Sequence, residues 1–310
     1  MANRAVVVDP QAPGRLVIAP VSDPVPDRHE AVCRVSAISL NRGEVRRAGM
    51  AAAGWRPGWD LAGEVERAAA DGSGPRAGAR VVGMLGEGAW AERVAVPTHA
   101  LAELPDKVTF SQAATLPVAG LTALYALAKG GLLLDRRVLV TGATGGVGDF
   151  AVQLARLAGA HVTATVRRAE QVAAVRALGA HDVAVGDEIP ASPKYDLILD
   201  SVGGRTLGGA LAALERGGTC VTFGVSATSE VTFDARNFFV AGRTTLYGFY
   251  LFTELGQEPA GVGLRRLANL VAAGQLTPHV SVERPWKEIA QVAQDLIARR
   301  YPGKAVLTLD

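Results

Sequence analysis

The stretch from Val138 to Gly159, VLVTGATGGVGDFAVQLARLAG, constrains the fold more than any other part of the chain. A short apolar run (Val138, Leu139, Val140) stops at a glycine-rich turn. A helical pattern starts at once, with Val147, Phe150, Ala151, Leu154 and Ala158 on one face. Strand, tight turn and helix in that order point a helix N-terminus, with its free N–H groups and positive dipole end, at whatever occupies the turn. Gly145, Gly146 and Gly148 let the backbone approach a pyrophosphate closely. The turn reads A-x-G-G-x-G, with Ala143 where the common fingerprint has its first glycine. Glycines alone are a weak signal; the flanking strand and helix make them a dinucleotide-binding signal.

The pattern around this unit is α/β. Strand-like runs follow at His161–Val166, Asp182–Val185, Tyr195–Asp200, Gly218–Gly224 and Thr244–Tyr250, separated by helical stretches such as Glu170–Leu178 and Arg205–Leu214. That alternation predicts a doubly wound parallel sheet. The first third differs. It holds short alternating runs at Arg4–Val8, Arg15–Val21, Glu30–Leu40, Leu61–Ala68, Ala79–Met84 and Ala91–Pro97, with Gly and Pro between them, which predicts a compact β-rich domain. Ser111 is placed as a helix cap, and Leu121–Ala128 has helical spacing. Near the end come helices at Val262–Ala273 and Trp286–Ala298 and a last strand, Ala305–Leu309, expected to rejoin the first domain.

Composition excludes several classes. With 310 residues the chain is long enough for two domains, and 49% hydrophobic with 20% charged residues describes a globular protein. A net charge of +2, with Lys and Arg scattered, argues against a nucleic-acid or membrane-surface partner. The N-terminal apolar run is too short for a signal peptide, and no stretch approaches a membrane span. The two cysteines, Cys33 and Cys220, are read as small buried hydrophobes in a reducing, cytoplasmic setting.

The second strand of such a sheet sets cofactor choice. An NAD site places Asp or Glu at its end, about twenty residues past the turn. Here the strand ends in TATVRR, with no acid between His161 and Arg168. Arg167 and Arg168 stand where a 2′-phosphate would sit, and a guanidinium fork suits phosphate. The expected cofactor is NADPH. Asp149, in the first turn of the helix, would repel a phosphate and is expected to point outward.

TGATGGVGDFAVQLAR, YDLILDSVGG, PGWDLAGEV (Pro57–Val65), LPVAGLTALYAL (Leu116–Leu127) and PGKAVLTL (Pro302–Leu309) together resemble the medium-chain dehydrogenase/reductase superfamily, in its zinc-free quinone oxidoreductase and enoyl reductase branch. The resemblance implies a Rossmann NADPH-binding domain at 116–264 and a discontinuous, β-rich, GroES-like catalytic domain at 1–115 and 265–310. Zinc-dependent members carry a Cys at the position of Asn41, a His-Glu pair at Trp59 and Asp60, and a Cys at Val118. Asn, Trp and Val cannot rebuild a catalytic zinc site, so no metal is expected.

The remaining chemistry is hydride transfer from NADPH to a quinone or an α,β-unsaturated carbonyl compound. Two alternatives stand beside it: an enoyl reductase of a biosynthetic intermediate, and a cofactor-binding structural or regulatory protein with little turnover. By resemblance Asn41 faces the nicotinamide, and Thr122 approaches its ribose or carboxamide. Thr144, Gly145, Gly146 and Val147 hold the pyrophosphate, while Gly224, Val225 and Ser226 pass under the nicotinamide side. Phe249, Tyr250 and Leu251 supply backbone contacts to the carboxamide. His181 lies either near the adenine or on the surface.

Relatives often carry a tyrosine shortly after the Asn, as a candidate proton donor. This chain reads Asn41-Arg42-Gly43-Glu44-Val45-Arg46-Arg47, so that tyrosine is missing. Arg42 or Arg46 as oxyanion stabiliser stands against a solvated basic helix face. Tyr247 or Tyr250 as hydroxyl donor stands against strand packing, and water would suffice for a quinone. Trp59 is the leading candidate for an apolar wall against a flat substrate. The sixth strand, apolar on both alternations, predicts a homodimer paired through that edge.

Overall fold

The computed structural model describes residues 2–190 and 192–309. The chain forms two compact units, Met1–Leu121 with Leu255–Asp310, and Thr122–Glu254. In chain order the first segment contains β1 (Asn3–Val8), β2 (Leu16–Val21), β3 (Glu30–Ser39), α1 (Arg42–Met50), β4 (Asp60–Arg67), β5 (Arg80–Met84), β6 (Arg93–Pro97), β7 (Leu101–Glu103) and α2 (Phe110–Ala114). After α3 (Leu121–Ala128) come β8 (Arg137–Val140), α4 (Gly146–Leu157), β9 (His161–Val166), α5 (Val172–Ala177), β10 (Asp182–Val185), β11 (Tyr195–Asp200), α6 (Gly204–Ala212), β12 (Leu214–Thr222), α7 (Ala235–Ala241), β13 (Thr245–Gly248) and α8 (Leu251–Glu254). The last segment adds α9 (Ala260–Ala272), β14 (Val280–Pro285), α10 (Ile289–Ile297) and β15 (Lys304–Thr308). No helix among the described residues is long and apolar enough to cross a membrane.

In the first unit a sheet runs β14-β15-β3-β4-β5-β7, with β6 also on β3 and β1–β2 as a separate antiparallel pair. β15 lies antiparallel to β3, Val306 opposite Ser39, so the chain's last strand is built into this sheet. β3 buries Val35, Ala37 and Ile38, and because adjacent residues point to opposite faces, Ala37 and Ile38 show that both faces of the strand are covered there. Burial of one such aliphatic side chain stabilises by about 1.5–3 kcal/mol. Two strands of this sheet escape the sequence pattern: β7 is three residues long, and β14 reads VSVERP, too polar to stand out.

The cap of α2 is Thr109 rather than Ser111. The Thr109 hydroxyl accepts the Gln112 N–H at 3.1 Å, and the Gln112 side chain accepts the Thr109 N–H at 3.1 Å. This reciprocal box satisfies two orphan donors, and Ser111 sits two residues too late to do so.

In the second unit six strands lie parallel in the order β10-β9-β8-β11-β12-β13. Counted along the chain this is 3-2-1-4-5-6, with the winding direction reversing between β8 and β11. Ligands of such sheets bind outside the carboxyl ends of the strands at that reversal. Val138, Leu139, Val140, Leu197, Ile198 and Leu199 are fully buried, as central strands covered on both faces must be. α4 turns Phe150, Ala151 and Leu154 to the sheet. β13 is an edge strand. α7 is a helix within the stretch that the sequence pattern leaves between the fifth and sixth strands; its Phe239 and Val240 are exposed.

Candidate active site

In the second unit, the turn after β8 is pinned from both sides. Gly142 N–H donates to Thr165 Oγ1 at 3.3 Å, and Ala143 N–H to the Thr165 carbonyl at 3.2 Å, fixing the turn to β9. On the other side Thr141 Oγ1 donates to Asp200 Oδ1 at 2.7 Å, and Ser201 Oγ donates to the Thr141 carbonyl at 3.2 Å, fixing it to β11. Asp200 is fully buried and also accepts the Gly203 N–H at 3.0 Å. Burial pushes its carboxyl up, against the pull of these hydrogen bonds.

The turn itself is cut to backbone dimensions. Gly142 has φ +61°, and a Cβ at Gly148 would strike the Gly142 carbonyl oxygen and come within 2.7 Å of Ala143 Cα. The N-cap of α4 is Gly145, with no side-chain cap for the first-turn N–H groups. A cradle of backbone donors at a helix N-terminus, with no side chain filling it, fits the pyrophosphate of a dinucleotide.

Other candidate residues gather at the same carboxyl ends. Arg167 and Arg168 follow β9 directly and are exposed, with Arg168 Nε 2.6 Å from Glu170 Oε1. Gln171 joins this edge to the turn through Nε2, 3.5 Å from Thr144 Oγ1. Gly224, Val225 and Ser226 follow β12, and Ser226 N–H donates to the Ser201 carbonyl at 3.0 Å. Phe249 N–H donates to the Thr222 carbonyl at 2.9 Å, which carries Phe249, Tyr250 and Leu251 to the end of β13. Tyr250 is 64% exposed, while Phe249 and Leu251 are buried. Thr122 is buried in the first turn of α3.

Two expectations need correction. His181 precedes β10 and packs on His161 at the start of β9, ring centroids 4.3 Å apart. Both lie at the amino ends of the strands, opposite the ligand-binding ends, so His181 is not on the adenine side. Its Nδ1 accepts the Val162 N–H at 3.0 Å, and burial, with the His161 charge next, holds its pKa below the usual range. Asp149 is buried rather than turned outward, and Gln153 Nε2 donates to its Oδ1 at 2.8 Å. A first-turn carboxylate suits the helix dipole, and the Gln153 hydrogen bond holds it in this buried position.

In the first unit, the chemistry-bearing residues form a buried polar cluster. Asn41 is the N-cap residue of α1, and Glu44 reaches back to it, its Oε1 accepting the Asn41 N–H at 2.7 Å and Asn41 Nδ2 at 2.9 Å. Asn41 Nδ2 also donates to Asp60 Oδ2 at 2.7 Å. Asp60 lies fully buried at the start of β4; Ser39 Oγ donates to its Oδ2 at 2.8 Å and Val118 N–H to its Oδ1 at 3.0 Å. The Lys304 ammonium completes the cluster, 2.6 Å from Asn41 Oδ1 and 3.3 Å from Asp60 Oδ2. Glu44 Oε2 is buried with no hydrogen-bond partner among the described residues. Burial, then the Asp60 charge, pushes the Glu44 carboxyl well above its ordinary range, against Lys304 and Asn41. Glu44 therefore holds its proton to a higher pH than an exposed carboxyl does.

Trp59 precedes β4, half-buried, its ring against Gly43. A Cβ at Gly43 would come within 2.7 Å of Trp59 Cη2. Arg42 is half-buried and Arg46 exposed on α1. Lys304 is the site residue that sequence reasoning missed. Its signal was a lysine opening a mostly apolar strand, KAVLT, with no acid on it to share the charge.

The residues present do not fit a catalytic zinc ion. Among the described residues no group of three or more His, Cys, Asp and Glu side chains could hold a metal. Trp59 and Val118 offer no suitable donor atom, and the Asn41 oxygen already faces an ammonium, so a metal cation there would meet like charge.

A 3-2-1-4-5-6 parallel sheet with an uncapped glycine turn in one unit, and in the other a last strand that returns to the first sheet, define a nicotinamide-dinucleotide oxidoreductase. Comparison with known proteins agrees. Residues 27–106 match the family model for the alcohol dehydrogenase GroES-like domain, and residues 146–264 that for zinc-binding dehydrogenase. The chain is 30% identical over 305 residues to a chloroplast envelope quinone oxidoreductase homolog of Arabidopsis thaliana, covering 91% of this chain and 89% of that protein. It is 28% identical to the quinone oxidoreductase of Homo sapiens, covering 93% and 92%. Among solved structures, the Escherichia coli quinone oxidoreductase complexed with NADPH superposes with a TM-score of 0.88 at 25% identity, covering 99% of this chain and all of that one. The chain belongs to the medium-chain dehydrogenase/reductase superfamily, in its quinone oxidoreductase and enoyl reductase branch.

Proposed function

We propose that this protein transfers hydride from NADPH to a quinone or an α,β-unsaturated carbonyl compound without a metal. The observation that carries the metal-free part is the Asn41–Asp60–Lys304 cluster, where an ammonium and a carboxylate balance each other and leave no metal donor set. The preference for NADPH rests on Arg167 and Arg168 after β9 and on the absence of an acid at that strand end. The relatives named quinone oxidoreductase support a quinone acceptor, and the one solved with NADPH supports the cofactor.

When bound, the nicotinamide supplies the hydride. The protein's own residues bind and orient. The α4 N-terminus and the turn Thr144–Val147 hold the pyrophosphate, and Arg167 and Arg168 hold the 2′-phosphate. Phe249, Tyr250 and Leu251 meet the carboxamide side. Trp59, stacked on Gly43, offers a flat apolar wall to a flat acceptor. Both amide protons of Asn41 are engaged, so the proton that completes reduction comes from water rather than from this side chain. The two buried, unpaired cysteines suit a reducing, cytoplasmic setting; burial pushes the Cys33 thiol up to about 12.

The test is NADPH consumption with a panel of simple quinones and enones in the presence of a chelator. The expected result is turnover with at least one quinone, at about tenfold better kcat/KM for NADPH than for NADH. Tight NADPH binding without turnover across the panel would sink the reading and leave a cofactor-binding protein.

A further inference from the structure

Lys304 carries a buried cation that the reaction as written does not use. Its side chain is 4% exposed, and Asp60 beside it is fully buried. The ammonium has three N–H donors and no acceptor. It meets three oxygens: the Leu40 carbonyl at 3.0 Å, Asn41 Oδ1 at 2.6 Å and Asp60 Oδ2 at 3.3 Å. The chemistry of these partners fixes the Asn41 amide. Its NH2 cannot face an ammonium, so its oxygen does. The NH2 then faces two acceptors, Asp60 Oδ2 at 2.7 Å and Glu44 Oε1 at 2.9 Å. Both amide protons and one oxygen lone pair are engaged. A single lone pair on Oδ1 is left over.

We propose that Lys304 is a positioning residue that holds the Asn41 amide with its oxygen on the ammonium and its NH2 on Asp60 and Glu44, so that Asn41 offers a bound ligand one hydrogen-bond acceptor and no donor. This rests on the proposed function, in which Asn41 is a site residue. Lys304 touches neither cofactor nor substrate; it acts through Asn41. Without it, the Asn41 amide is free to turn over, and Asp60 keeps a buried charge with no cation beside it.

The experiment is chemical rescue. Lys304→Ala removes three methylenes and the ammonium, the outline of propylammonium. The variant is compared with wild type for kcat, KM, the NADPH dissociation constant by fluorescence, and thermal unfolding, each with propylammonium or with tetramethylammonium, a cation without N–H donors. The expected result is a kcat at least tenfold below wild type with quinone KM within about threefold. Millimolar propylammonium raises both kcat and the unfolding temperature, and tetramethylammonium does neither for kcat. Wild-type kcat in folded Lys304→Ala overturns the proposal, as does equal rescue of kcat by tetramethylammonium, which would make the role one of charge alone. If Lys304→Ala does not fold, Lys304→Met combined with Asp60→Asn removes both charges together. That double variant is expected to fold with low kcat, and wild-type kcat in it overturns the proposal. Wild-type protein that binds NADPH yet turns over no acceptor would defeat the proposed function instead; rescue of the unfolding temperature by propylammonium but not tetramethylammonium still tests the lysine's donor role.

Discussion

Arg167 and Glu44 show how single side chains carry separable parts of the account. Arg167 is exposed and has no fold to support, so its substitution reads cofactor choice directly. Arg167→Ala is expected to raise KM for NADPH about tenfold, the scale of one charge-assisted hydrogen bond, and to leave KM for NADH unchanged. Equal effects on both cofactors would remove the 2′-phosphate role. Glu44 reads the buried cluster. Its pKa is raised in the folded state, so the native protein keeps a proton that the unfolded chain releases above about pH 4.5. The native state then binds more protons, and stability falls as pH rises from 4.5 towards the folded pKa. Glu44→Gln cannot titrate and removes this slope. Urea unfolding between pH 5 and 8 should show the variant gaining on wild type as pH rises; parallel curves would mean that Glu44 is ionised in the fold.

The element that positions the dinucleotide is the β8–turn–α4 unit, and its geometry rests on missing side chains. Gly148→Ala places a Cβ against Ala143 Cα, backbone that cannot swing aside, so the turn must open. Such overpacking costs about 1–3 kcal/mol. The expected outcome is a folded protein by circular dichroism with NADPH affinity reduced at least tenfold by fluorescence titration; unchanged affinity would show that the pyrophosphate lies elsewhere. This unit was legible in the sequence because strand, glycines and helix follow one another within it. The cluster around Lys304 was not. Its members come from β3, α1, β4, the turn before α3 and β15, and only pairing of the last strand with β3 brings Lys304 to Asn41. His181 was left between the adenine side and the surface for a related reason. The motif gives its neighbours, but the strand direction decides which end of the sheet it occupies. Thr109 was a different case: the T-x-x-Q box was present in the sequence, and a nearby serine drew the cap to the wrong residue.

At the scale of the whole molecule, the exposed sheet edge and the cofactor chemistry each carry a prediction. β13 ends the parallel sheet as a free edge, with Leu246 42% exposed, and α7 before it exposes Phe239 at 67% and Val240 at 66%. An unprotected apolar edge invites pairing with another chain. Light scattering is expected to give twice the chain mass for wild type and the chain mass for Leu246→Lys; a monomeric wild type refutes pairing through this edge. The central claim is hydride transfer without a metal, and isotope transfer tests it most directly. Metal-stripped protein, its metal content checked by mass spectrometry, is given an enone and NADPH deuterated at C4 of the nicotinamide, one face at a time. The account predicts full turnover, with one deuterium on the β-carbon of the saturated product from one of the two labelled faces and the α-hydrogen drawn from water. Turnover that returns only on adding zinc, or product that carries no label from either face, would contradict it.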